Sequence, residues 1–164
     1  MLLGDLLDRS VALEERAQRL YARFAAGASD AALAGFWAQL AAEETGHAEA
    51  VRSARAQLSF SAARRTRVDG WAEALAEIEG RLAAAEALGA DAGLDAQLSA
   101  ALALEGSEID AMRQAATAVA AGVPPAAEAA HVRELAAAAL RLSADPHVQL
   151  EATRLLAQAH VMGR

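Results

Sequence analysis

Leu33, Phe36, Trp37, Leu40, Glu44, His47 and Val51 recur at spacings of three and four. That is the period of one stripe along an α-helix, the stripe that meets a neighbouring helix. Two members of this otherwise apolar stripe are ionisable, and no other feature restricts the fold as much. A carboxylate on a core-facing stripe costs several kcal/mol unless it is paired, protonated or bound to a metal. Glu44 and His47 stand one helical turn apart, so both side chains reach the same point in the interior. The competing reading is a solvated helix surface on which Glu43, Glu44, His47 and Glu49 all face water. The remaining residues decide between the two.

Hydrophobic residues make up 55% of the chain, many of them alanine, and aromatics only 4%. With three prolines in 164 residues, this composition predicts an all-α fold with closely approaching helices. The length suits a single domain, residues 1–164, around one core. No apolar run approaches the length of a membrane-spanning helix. The opening residues carry no basic, apolar leader, so a cytoplasmic location is expected. Cysteine is absent, which excludes disulfides, zinc–thiolate sites, iron–sulfur clusters and a rubredoxin-type iron centre. A net charge of −7 argues against nucleic acid or an anionic membrane as partner. All fifteen basic residues are arginine, a pattern of base composition rather than of function.

A first helix is expected over about 4–26, with Leu3, Leu6, Leu13, Ala17, Leu20 and Phe24 along one side. Glu14 shares a stripe with Leu7 and Tyr21, because seven residues make almost two turns. Glu15 is rotated by ~100° and is expected in solvent, as is Glu43 beside Glu44. Gly27 and Ser29-Asp30 supply a stop and a new N-cap, so a second helix over about 31–58 completes an antiparallel hairpin. Residues 59–69 hold the basic cluster Arg64, Arg65 and Arg67, read as a solvated crossover. Asp69 is expected to cap a third amphipathic segment, about 70–88, with Trp71, Leu75, Ile78, Leu82 and Leu88, ended by Gly89 and Gly93. The next helix, about 94–121, aligns Leu94, Leu98, Ala101, Glu105, Glu108, Met112 and Val119, so acidic residues again interrupt a core stripe. Residues 122–125 read as a turn, a helix through Leu135 and Leu142 follows, and Asp145-Pro146 opens a last one.

The two halves can be superposed on their glycines. With Gly27 set on Gly122, Leu40 falls on Leu135, Glu44 on Ala139 and His47 on Leu142. This register implies a duplicated helical hairpin whose second half has lost its Glu-x-x-His pair. It places His131 at the apolar Phe36 position and leaves His147 on a polar helix face and His160 near the end, all three in packing or surface roles.

On these residues the chain resembles the rubrerythrin branch of the ferritin-like superfamily, over nearly its whole length. Glu14 with Tyr21 seven residues on matches the family's first-helix motif. Glu44 and His47 match its first Glu-x-x-His, and Glu105 and Glu108 its third-helix Glu-x-x-Glu. The resemblance implies a four-helix bundle of two helical hairpins, with an extra crossover segment and a short C-terminal helix. It also implies a metal site of Glu14, Glu44, His47, Glu105 and Glu108. Glu44 would anchor or bridge, Glu108 would exchange onto the metal, and Tyr21 would support a ligand carboxylate.

Carboxylate and imidazole ligands suit iron, manganese and zinc. The implied cofactor is non-haem iron, mono- or dinuclear, with Mn or Zn as alternatives. With the second Glu-x-x-His unmatched, about one metal per chain is expected. The implied function is metal binding that handles iron or small oxidants such as peroxide, with metal ions and a second copy in a homodimer as partners. The alternative is a non-catalytic helical bundle, an interaction or structural protein retaining a degenerate site. A storage cage is a third reading.

Overall fold

The computed structural model describes residues 1–89, 92–115 and 125–162, without the side chains of 60–61, 109–115, 125–128 and 161–162. The described residues form seven helices and no strand: α1 (Leu3–Gly27), α2 (Ala31–Gln57), α3 (Phe60–Arg65), α4 (Trp71–Glu86), α5 (Leu94–Ala115), α6 (Pro125–Leu142) and α7 (Pro146–Met162). The fold is all-α, as the composition predicts. The expected end of the fourth amphipathic helix at 116–121 and the turn at 122–124 lie outside the described residues.

Helix starts follow local chemistry. Asp30 Oδ1 accepts from the Ala32 and Leu33 amides, both at 2.9 Å, and so caps α2. Asp145 Oδ1 does the same for α7, at 2.8 Å from His147 N and 3.2 Å from Val148 N, with Pro146 as first helical residue. Asp69 does not cap α4. The residue before that helix is Gly70, in the left-handed region at φ 80°, with no side-chain cap. A glycine there reverses the chain without the steric cost a Cβ would add.

Side-chain pairs fix the helix directions. Arg52 meets Glu15 and Arg55 Nε reaches Asp8 Oδ1 at 3.1 Å, so α1 and α2 are antiparallel. Arg9 pairs with Glu79 and, seven residues on in both helices, Arg16 with Glu86, each at 2.6 Å. That constant offset makes α4 parallel to α1. Exposed pairs of this kind contribute only ~0–1 kcal/mol each, so they report the alignment more than they cause it. Ser143 Oγ at the end of α6 hydrogen-bonds Asp95 near the start of α5, so those two are antiparallel. Gln39 Nε2 donates to Glu134 Oε2 at 2.6 Å, and Glu43 meets His131, so α6 is antiparallel to α2 as well. Residues 58–70 return the chain to its own start. The Leu3 amide donates to Thr66 O at 2.8 Å and the Val68 amide to Met1 O at 3.0 Å. There Gly4 lets α1 approach α3 closely, since a Cβ would lie 3.1 Å from the Ala63 carbonyl oxygen.

The core combines leucine and alanine stripes with one aromatic cluster. Trp37 is wholly buried. Its ring stacks on Tyr21 at 5.9 Å between centroids and takes Phe24 edge-on at 5.1 Å. With so few aromatics, this cluster fills volume that alanines cannot. Trp37→Ala is expected to lower the unfolding free energy by about 3–5 kcal/mol. Leu150→Ala on the surface of α7, where the side chain is 64% exposed, should change it by no more than about 0.5 kcal/mol. Guanidinium denaturation of both variants checks the contrast.

Candidate metal centre

Four helices bring carboxylates and imidazoles to one buried place. α2 contributes Glu43, Glu44 and His47, α1 contributes Glu14 and Tyr21, α5 contributes Glu105, and α6 contributes His131. The solvated-surface reading of Glu44 fails, because only 1% of the residue is exposed. Glu15 does lie at the surface, beside Arg52.

Glu44 is the centre of the arrangement, and its two oxygens face different neighbours. Oε2 lies 3.2 Å from His47 Nδ1, which is 3.9 Å from Glu14 Oε2. Oε1 lies 3.2 Å from His131 Nε2, which is 3.3 Å from Glu105 Oε2. Two groups therefore share one carboxylate: Glu14, Glu44 and His47, and then Glu44, Glu105 and His131. Within each group the ligating atoms all lie within 4.8 Å of one another, close to the spacing of atoms each held ~2 Å from a common cation. The His47 and His131 rings stand edge to face with centroids 5.3 Å apart.

Three of the converging atoms are buried and lack a hydrogen-bond partner: Glu44 Oε1, Glu105 Oε2 and His131 Nε2. They approach at ion-pair distance without the alignment of a hydrogen bond. Buried polar atoms are almost always satisfied, and three unsatisfied ones aimed at a single point fit a cation among them. The opposite edges of these groups are anchored. The Tyr21 hydroxyl donates to Glu105 Oε1 at 2.6 Å, and Glu43 Oε2 meets His131 Nδ1. Gln39 Nε2 donates to Glu43 Oε1 at 3.0 Å.

The electrostatics follow from burial against close charge. Burial disfavours a charged His131, yet the carboxylates of Glu105, Glu43 and Glu44 outweigh it and raise its pKa above that of ordinary histidine. Burial likewise penalises the Glu44 carboxylate, and the proximity of His131 and His47 more than compensates, leaving its pKa below the usual value. Contact with His131 lowers the pKa of Glu43. Burial, then the charges of Glu105 and Glu44, push the Tyr21 phenol well above its normal range, so it stays a donor.

Of the expected ligands, Glu14, Glu44, His47 and Glu105 are brought together. Glu108 lies one turn further along α5, half-buried, and joins neither group. The glycine-anchored register is overturned in the second half. Leu142, set where His47 should have its counterpart, is 44% exposed, whereas His131 is 3% exposed and stands beside Glu44. The counterpart was visible, since Glu128-Ala-Ala-His131 repeats the Glu-x-x-His spacing. Assuming equal loop lengths in the two halves hid it. Glu43 was also misread as solvated. It is rotated off the Glu44 stripe, but α6 reaches it from the other side. His147 and His160 are exposed and away from the centre.

No protein-family model, curated protein or solved structure matches this chain.

Two outcomes are expected for the metal-free protein. Tyr21→Phe strips a buried carboxylate oxygen of its donor and should cost about 1–3 kcal/mol in chemical denaturation. Stability should also peak between the ordinary pKa of Glu44, 4.5, and that of His131, 6.5. Glu44 has a lowered folded pKa, so its contribution is full above its ordinary pKa and is lost as pH falls below it. His131 has a raised folded pKa, so its contribution is full below its ordinary pKa and is lost as pH rises above it. Melting temperatures across pH 3–9 with a chelator present check this, and a monotonic profile would contradict it.

Proposed function

We propose that this chain is a ferritin-like protein of the rubrerythrin type, a four-helix bundle of α1, α2, α5 and α6 that holds a carboxylate-bridged pair of transition-metal ions, with iron as the preferred metal. The observation that carries the reading is the divided environment of Glu44, one oxygen toward Glu14 and His47 and the other toward Glu105 and His131. A carboxylate so placed bridges two cations. The helix directions support the same reading. α1 and α6 run one way and α2 and α5 the other, and the long connection carrying α4 joins the two hairpins, a bundle with one crossover. The second Glu-x-x-His supports it too, since Glu128 stands one turn before His131 on α6.

A bound iron pair supplies electron exchange with oxygen, peroxide or further iron. The chain's own residues hold and orient. Glu44 would bridge the pair, Glu14 with His47 and Glu105 with His131 would complete the two positions, and Tyr21 holds Glu105 by its outer oxygen. Glu108, one turn beyond Glu105, is the carboxylate that can exchange onto a cation.

A second reading has its own support. A protonated His131 among Glu43, Glu44 and Glu105 offsets part of their charge without a metal, which suits a structural bundle retaining a relic site. Metal content separates the two. Protein purified without added metal and titrated with Fe²⁺ under anaerobic conditions should bind about two ions per chain, not the one that the glycine register predicts. His131→Ala should reduce this to about one, Glu44→Ala should abolish it, and Glu15→Gln should leave it unchanged. Chelation should lower the melting temperature and Fe²⁺ or Mn²⁺ should raise it. A melting temperature indifferent to saturating Fe²⁺, Mn²⁺ and Zn²⁺ would favour the relic.

A further inference from the structure

We propose that Glu43 is a positioning residue for the His131 imidazole, held across the α2–α6 cleft by Gln39 and Glu134, and that it sets how tightly the Glu44–Glu105–His131 position holds a cation. The cation part rests on the bridged two-metal reading above, and the positioning part does not.

α2 and α6 flank a cleft of about 430 Å³ lined by Phe36, Gln39, Leu40, Arg133 and Glu134 among others. A continuous polar chain runs from this cleft to the centre. Gln39 Nε2 donates to Glu134 Oε2 at 2.6 Å and to Glu43 Oε1 at 3.0 Å, and Glu43 Oε2 meets His131 Nδ1. Exposure falls along it, from Glu134 and Gln39 in solvent, through Glu43 with a side chain 29% exposed, to His131 at 2%.

The chemistry of imidazole gives this order its meaning. A neutral histidine that ligates through one nitrogen carries its proton on the other. A carboxylate at Nδ1 takes that proton as a hydrogen bond, fixes the ring's rotation and leaves the Nε2 lone pair facing Glu44 and Glu105. Those two oxygens lie at 3.2 and 3.3 Å from Nε2, so a rotation of the ring would take Nε2 away from both. Glu43 itself is a flexible side chain at the edge of a helix. Gln39, four residues earlier on the same face, restrains it from α2, and Glu134 restrains Gln39 from α6.

The test combines Co²⁺ titration with nuclear magnetic resonance of the histidine rings. Glu43→Ala should weaken the His131-dependent Co²⁺ position by about 10–100-fold and alter the visible absorption bands of Co²⁺ bound there. In a His131→Ala background the same substitution should change the remaining position by no more than about twofold. Glu43→Gln, whose amide oxygen still accepts from Nδ1–H, should restore the band shape and part of the affinity. Gln39→Ala should fall between the unmodified protein and Glu43→Ala. In metal-free protein, a protected His131 Nδ1 proton should be visible in the unmodified chain and in Glu43→Gln, and lost in Glu43→Ala. Equal weakening with and without His131 would mean that Glu43 acts only through its charge, and unchanged affinity and bands would mean that it does not act at all. Either result overturns the proposal. If the unmodified protein binds no Co²⁺, the two-metal reading falls with the affinity effect. Loss of the Nδ1 proton in Glu43→Ala then upholds the positioning, and its retention overturns that too.

Discussion

The structure depends on a carboxylate buried where an apolar side chain would ordinarily stand. Glu44 occupies the core stripe of α2 between Leu40 and Val51, with Ala41 and Ala48 buried nearby. Burial of one charge in such a seam would oppose folding unless other groups answered it. The answers come from each half of the chain, His47 on the same helix and His131 on α6. Neither hairpin is electrostatically complete alone. The carboxylate therefore does more than occupy the core. It makes the docking of α6 against α2 specific, because only one relative depth of the two helices brings the His131 imidazole to the other side of Glu44.

That depth is held by less demanding contacts. The Tyr21 hydroxyl ties α1 to Glu105 on α5, and the heptad-spaced arginine pairs report how α4 lies beside α1. Tyr21 also stacks on Trp37 of α2, so the residue that orients a carboxylate is itself set by the aromatic core. The alanine-rich interior makes this possible. Small side chains let the four helices come near enough for short carboxylates to converge, and the Tyr21, Phe24 and Trp37 rings fill the space where α1 meets α2.

Much of this was legible from periodicity. The ends of α1 and α2 fall within one residue of those expected from Gly27, Asp30 and the stripe phases. Glu14 against Glu15 followed from a ~100° rotation alone. Glu14 and Glu105 are each the twelfth residue of their helices, so the first and third ligand helices do repeat in register. The second and fourth do not. His47 is the seventeenth residue of α2, whereas His131, likewise three residues after a glutamate, is the seventh of α6. His131 reaches Glu44 by its depth along α6 and not by its distance from a preceding glycine, so Gly27 and Gly122 were the wrong anchors. Glu43 was illegible for another reason. Stripe analysis divides a helix into a face toward one partner and a face toward water, and α2 has partners on two sides.

The same atoms suit two occupants, and this explains how such a centre can exist in a chain that must also fold. With the imidazole protonated, His131 is itself the cation among Glu43, Glu44 and Glu105, and the carboxylates need not take up protons of their own. A divalent metal in the proposed function replaces that proton with a greater charge, and its binding therefore releases a proton and strengthens as pH rises. Folding stability in the metal-free state moves the opposite way above the ordinary histidine pKa, because the imidazolium is then lost from the unfolded chain first. The two dependences cross. In the proposed function, the buried histidine would hold the helices together on the acid side and a metal would do so better on the alkaline side. Glu43 serves in both regimes without changing place, since it receives the same Nδ1 proton whether Nε2 carries a second proton or a cation.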